Sequence, residues 1–255
     1  QQQGVSISSV LQAYLQLESR GVIEARPQSG YYVCLPAAAH LPEPEISSPS
    51  LDPSHVNLHD LMMMVMRDTL NPGLVQLGAA MPNLELLPTE RMKRIMTGVA
   101  RNANQDMHQY QLPPGDENLR VQIAKRAVNS GCQLAPSDIV ITSGGTEAIA
   151  LCLHAVCKPG DIVAIESPMY FGTLQIIEVQ GLRALEIPTN PRDGISLDAL
   201  QFAIEHNPIK AVLTISNFSN PLGSCIPDEK KKELVELLTR YDIPLIDNDV
   251  SGEIY

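Results

Sequence analysis

From residue 138 onward the chain alternates short runs of β-branched and aliphatic residues with longer runs of helical spacing, and that rhythm allows few folds. "DIVIT" (138–142) precedes the helical "TEAIALCLHAVC", and "DIVAI" precedes "FGTLQIIEVQ". "RALEI" comes before "SLDALQFAIEH", "AVLTI" before "DEKKKELVELLTRY", and "IPLI" arrives last. Strands separated by helices cannot close as hairpins. Each helix must carry the chain back over the sheet, so neighbouring strands run parallel. The expected fold is therefore α/β, a mostly parallel sheet flanked by helices. Upstream, residues 60–70 and 89–103 have helical spacing, separated by the loop-like "NPGLVQLGAAMPNLELLP". "GDENLRVQIAKRAVNSG" predicts an amphipathic helix through Leu119, Ile123 and Ala127, with Asp116 near its start and Gly131 at its end.

The first 35 residues follow a different pattern. Val10, Ala13, Tyr14 and Leu17 form one apolar stripe at helical spacing, Ser6 is placed to cap that helix, and Gly21 to end it. Val22–Arg26 and Tyr31–Val33 flank "PQSG", which reads as a hairpin. A helix followed by a short hairpin is the last part of a winged helix-turn-helix. Residues 36–57 are rich in proline and lose all apolar periodicity, so they read as a semi-rigid linker. Three segments result: residues 1–35, a linker over 36–57, and the α/β body over 58–255.

Composition narrows the function classes. With 44% hydrophobic and 18% charged residues, 255 residues can bury a real core. The net charge of −11 argues against a protein that coats nucleic acid over its whole surface, but not against a small DNA-reading module on an acidic body. Five cysteines at irregular positions make neither a metal set nor an even disulfide frame, which points to a reducing cytoplasm. The apolar run Leu61–Met66 is far too short to cross a bilayer, and no secretion signal is expected.

With a parallel sheet expected, chemistry belongs at the strand ends. In "ITSGGTEAIA" two glycines lie between a strand and a helix start. Gly144, Gly145 and Thr146 could offer backbone N–H groups to a phosphate, or could simply make a tight turn. It lacks the Gly-Lys-Ser/Thr ending of a Walker loop. "ESPMYFG" leaves Tyr170 at a strand end, where an aromatic ring can stack on a planar ligand or serve as core. "SNPLG" presents Asn220, a donor and acceptor suited to a ring oxygen, or a turn residue. "IDNDVSG" places Asn248 and Asp249 after the last strand, where an acid could balance a cationic ring nitrogen or face solvent. Taken in order, the four loops describe a phosphate, a flat ring, a ring hydroxyl and a ring nitrogen, the parts of pyridoxal 5′-phosphate.

"VSISSVLQAYLQLESRGVIEARPQSGYYV" resembles the second half of the winged helix-turn-helix of GntR-family regulators. The remainder resembles the class I aminotransferase fold, fold type I of the pyridoxal phosphate enzymes. Joined by a linker, the two resemble the MocR-type subgroup of GntR regulators. That resemblance implies phosphate contacts at Gly145 and Thr146, ring stacking by Tyr170, and a hydrogen bond from Asn220 to the ring hydroxyl. It also implies that Tyr110, in "YQLPPG", reaches the phosphate of a partner subunit in a homodimer, and that Gly78, in "QLGAAMP", borders the substrate. The family's Asp-x-x-Tyr falls on Asn248 and Ser251, with Asp249 as the alternative acid one residue on. The resemblance places the Schiff-base lysine and the arginine for the substrate carboxylate beyond Tyr255, and the first DNA-binding helices before Gln1. The chain is accordingly expected to be an internal piece that does not transaminate.

For function, the resemblance implies a DNA-binding transcriptional regulator whose body senses pyridoxal phosphate or an amino compound bound to it. Ser6, Ser8 and Ser9 at the helix start, and Arg26 and Ser29 on the wing, would then meet bases or phosphates. The alternative is an aminotransferase for an aromatic or dicarboxylic amino acid, and a third reading is a scaffold that has lost its cofactor. No metal and no membrane contact are expected.

Overall fold

In a computed structural model that describes residues 6–27, 29–34, 43–69, 71, 73–74, 84–102 and 110–252, the alternating pattern does build a mostly parallel sheet. The chain divides into two compact units, residues 1–44 and 45–255.

In the first unit, helix α1 (Ile7–Ser19) begins where Ser6 Oγ accepts the Ser9 N–H, and it ends at Gly21, whose φ is +68°. Strands β1 (Ile23–Arg26) and β2 (Gly30–Val33) then pair antiparallel, Ile23 opposite Val33 and Arg26 opposite Gly30. Tyr14 of α1 stacks on Tyr31 of β2 with ring centroids 4.6 Å apart, which ties helix to hairpin.

The second unit opens with β3 (Ser54–His55), α2 (His59–Asp68), α3 (Thr89–Asn102) and α4 (Glu117–Asn129), the last capped by Asp116 through the Leu119 N–H. Next come α5 (Gly145–Val156), β4 (Ile162–Ser167), α6 (Phe171–Val179), β5 (Arg183–Asn190) and β6 (Gly194–Ile195). The chain continues through α7 (Leu197–His206), β7 (Ile209–Thr214), α8 (Asp228–Arg240) and β8 (Leu245–Asp247). The sheet order is β3-β5-β4-β7-β8, with β6 paired to β5. The pairs β4–β5, β4–β7 and β7–β8 are parallel, whereas β3 and β6 run antiparallel to β5.

Apolar side chains cover both faces of the sheet, as continuous apolar strands require. On one face Ile149 and Leu153 of α5 and Ile176 and Ile177 of α6 pack on Val163, Ile165 and Leu213. On the other, Leu200 of α7 and Leu234, Leu237 and Leu238 of α8 pack on Ala164, Leu185 and Val212. The chain leaves β4 for β5 on one side, then crosses back over β4 to reach β7. Helices therefore change face between β4 and β7, and the carboxyl ends of these two strands are free to part. That is the switch point at which open α/β sheets hold ligands.

Two expectations need correction. "DIVIT" forms no strand. Residues 139–142 have no ladder partner among the described residues, and the Ile141 N–H instead bonds Pro114 O at 2.8 Å. The approach is tight: Gly115, at φ +101°, would place a Cβ 2.6 Å from Ile141 Cβ. The described part of the proline-rich linker is also not free. Ser54–His55 adds to the sheet edge, Arg183 Nη2 donates to Pro53 O, and Ser47 Oγ accepts from Thr189 N. Proline suits that place because an edge strand leaves N–H groups unused.

Candidate functional site

A cavity of about 270 Å³ opens at the carboxyl ends of β4, β7 and β8, on the face covered by α5 and α6. Its wall takes residues from each loop that the sequence singled out. Gly145 and Thr146 stand in the first turn of α5, where backbone N–H groups have no partner within the helix and the helix dipole favours negative charge. Tyr170 precedes α6, Asn220 sits in the loop after β7, and Asn248 and Ser251 follow β8. Ile149, Ile176 and Ile215 supply an apolar lining between these polar points.

No charged side chain lines this wall among the described residues. An anion here would be held by N–H and hydroxyl dipoles, an arrangement that helix N-termini provide. Thr173 adds a further polar group that sequence reasoning missed. It is buried in the first turn of α6, lines the cavity, and its Oγ1 has no hydrogen-bond partner. A buried hydroxyl without a partner costs free energy, so it marks a place where a ligand atom would be welcome. A threonine three residues after an expected ring-stacking tyrosine, inside a helix start, was the available signal.

Tyr170 lies across the backbone of Gly172. A Cβ at Gly172 would stand 2.9 Å from Tyr170 Cζ and closer still to Cε1. Glycine at 172 is thus what lets the ring take its place in the wall.

The other expected residues fall elsewhere. Gly144 is the N-cap residue of α5, next to the wall but outside it. Asp249 does not line the cavity; its Oδ1 accepts from Asn217 Nδ2 at 2.7 Å. Strand alternation explains this, because Ile246 packs on the α5–α6 face and carries Asn248 to that face, while Asp247 and Asp249 turn to the other. Of the two residues expected near a ring nitrogen, Asn248 lines the cavity and Asp249 does not. Tyr110 stands 98% exposed and has no place in this wall. Gly78 lies outside the described residues.

In the first unit Ser6, Ser8, Ser9, Arg26 and Ser29 are all exposed. Ser6 Oγ is 2.9 Å from the hydroxyls of both Ser8 and Ser9, so the three form one cluster at the helix start. Arg26 Nε donates to Glu24 while its guanidinium lies 4.6 Å over the Tyr32 ring, and Ser29 Oγ meets Tyr32 Oη at 2.6 Å. These contacts link side chains along the hairpin.

Behind the cavity, on the opposite face of the sheet, Glu166 is fully buried at the end of β4. Its carboxyl is pushed up to about 7, chiefly by burial and further by the Asp247 carboxylate. The Ile215 N–H, the Ser219 hydroxyl and Lys230 act in the opposite direction.

The family model for aminotransferase class I and II matches residues 75–250. The uncharacterized HTH-type transcriptional regulator YjiR of Escherichia coli is 38% identical over 254 residues, covering 100% of this chain and 54% of that protein. The probable rhizopine catabolism regulatory protein MocR of Rhizobium meliloti is 25% identical over 256 residues, covering 98% of this chain and 50% of MocR. Among solved structures, the α-aminoadipate aminotransferase LysN of Thermus thermophilus, complexed with N-(5′-phosphopyridoxyl)-L-leucine, superposes with a TM-score of 0.64. That match is 25% identical and covers 72% of this chain and 46% of LysN. The chain spans about half the length of these relatives.

Proposed function

The chain belongs to the aminotransferase class I and II family, and from that premise we propose that it forms the ligand-sensing body of a DNA-binding transcriptional regulator, with pyridoxal 5′-phosphate as its cofactor. One observation carries the cofactor reading: loops from four separate places in the sequence meet in a single cavity at the sheet's switch point. Gly145 and Thr146 would hold the phosphate, Tyr170 would lie against the ring, and Asn220 would bond the ring hydroxyl. Thr173 would give its unpartnered hydroxyl to the same ligand. Asn248, being neutral, would not keep the ring nitrogen protonated as an aspartate does. The bound cofactor would supply an aldehyde reactive toward amines, which suits a sensor of amino compounds.

The regulator reading is supported by relatives that match across 98–100% of this chain, whereas the aminotransferase structure covers 72% of it. Ser6, Ser8, Ser9, Arg26 and Ser29 are then the DNA-facing groups. Tyr110, exposed in its own chain, would reach a second copy in a homodimer. The deciding experiment titrates the complete protein against its own upstream DNA, with and without pyridoxal phosphate and amino compounds. Specific binding that these ligands shift is the expected result. No DNA binding, together with steady turnover of an amino donor, would replace the regulator by an aminotransferase.

Two substitutions probe the cavity. Asn220→Ala should weaken pyridoxal phosphate binding about tenfold, the loss of one hydrogen bond, while leaving the affinity for inorganic phosphate unchanged. Gly172→Val should turn Tyr170 out of the wall and cost a similar factor. The chain has no tryptophan, so isothermal calorimetry is the better readout for both.

A further inference from the structure

The two peptide N–H groups that follow β7 are each taken by a carboxylate from a flanking strand. Ile215 N donates to Glu166 Oε2 at 3.0 Å, and Ser216 N donates to Asp247 Oδ1 at 3.0 Å. Ser216 Oγ also donates to Asp247 Oδ2 at 2.6 Å. The β4–β7 ladder ends at Ile165 and Leu213, so the Glu166 side chain takes over as acceptor where the two strands part. Ile215 lines the cavity floor, and Asn220 hangs from the loop that begins there.

That loop is closed on itself. Ser219 N donates to Ser224 O at 2.9 Å, and Ile226 N to Ser216 O at 2.9 Å. A tilt at its root would therefore move Asn220 with it as one body. We propose that Glu166 and Asp247 are positioning residues, a pair of carboxylates that fixes the chain's exit from β7 and so sets where Asn220 stands in the cavity. The inference rests on the cofactor reading above. It also gives a reason for a carboxyl with no exposed surface whose Oε1 has no partner of regular geometry, although the Ser219 hydroxyl lies beside it. An apolar residue would fill that space at lower cost but could not accept the Ile215 N–H.

The test measures pyridoxal phosphate and inorganic phosphate binding by calorimetry on the complete protein. Glu166→Leu and Asp247→Ala should each weaken pyridoxal phosphate about tenfold and leave inorganic phosphate within twofold, because Gly145 and Thr146 do not depend on the β7 loop. Glu166→Gln, which keeps an acceptor for Ile215, should bind both like the unmodified chain. Asn220→Ala added to Asp247→Ala should cost less than the product of the single effects, as expected for groups acting through one contact. If Glu166→Leu does not fold, Asp247→Ala at the exposed end of β8 gives the same answer. Unchanged pyridoxal phosphate affinity in Asp247→Ala, or equal losses for both ligands, would overturn the positioning role alone. An unmodified chain that binds phosphate but not pyridoxal phosphate would remove the cofactor reading together with it.

Discussion

Leu213→Ala should destabilise the body by about 3–4 kcal/mol, the typical cost of emptying a leucine-sized space in a core that cannot collapse around it. Leu213 has no exposed surface. It lies on an inner strand, in register with Ile165 of β4 and Ile246 of β8, and packs in the cluster formed with α5 and α6. Strands hold it on two sides and helices on the third, so no neighbour can move in without disturbing the ladder. Leu151, on the outer face of α5 and half exposed, serves as the contrast, and its alanine variant should lose less than about 1 kcal/mol. Urea denaturation with unchanged slope would report both as midpoint shifts. Equal small losses at the two sites would mean that this face is not packed as described.

Glu166→Gln should stabilise the protein above neutral pH and do little in acid. The folded state raises this carboxyl from its ordinary 4.5 to about 7, because burial and Asp247 oppose its charge more than Ile215, Ser219 and Lys230 favour it. Its contribution to stability is fully present below pH 4.5 and is lost as pH rises through about 7. The full loss is about 3–4 kcal/mol, at roughly 1.4 kcal/mol for each pH unit between the two values. Glutamine resembles the protonated carboxyl and carries no charge to desolvate. The stability difference between Glu166→Gln and the unmodified chain should be near zero at pH 4.5, then grow to a plateau above pH 7.5. A difference that stays flat with pH would show that Glu166 ionises as readily folded as unfolded.

The parts of this architecture that could be read from sequence are those fixed by burial. Strands β4 and β7 are covered on both faces over Ile162–Ile165 and Ala211–Leu213, so those stretches appear as unbroken apolar runs, and the helices between the strands show one apolar stripe each. The segment 138–142 has the same composition but pairs with nothing among the described residues, since an apolar run states a preference for burial and not for a partner. Ser54–His55 gives no signal at all; the open edge of β5 decides that it is a strand. The lining of the cavity was legible wherever a loop carries its own chemistry, as at Gly145, Tyr170 and Asn220. That Asn248 and not Asp249 lines the cavity follows from the facing of Ile246, which only the packed sheet supplies. Glu166 reads in sequence as the first residue of a polar turn, and only the parting of β4 from β7 makes it a buried acceptor.

The central claim is that four loop tips make one pyridoxal phosphate site, and a crystal structure of the chain soaked with pyridoxal phosphate tests it most directly. The expected result is phosphate density at the N–H groups of Gly145 and Thr146, the ring against Tyr170, and its hydroxyl facing Asn220. Ligand density confined to surface lysines, with this cavity filled only by solvent, would contradict it.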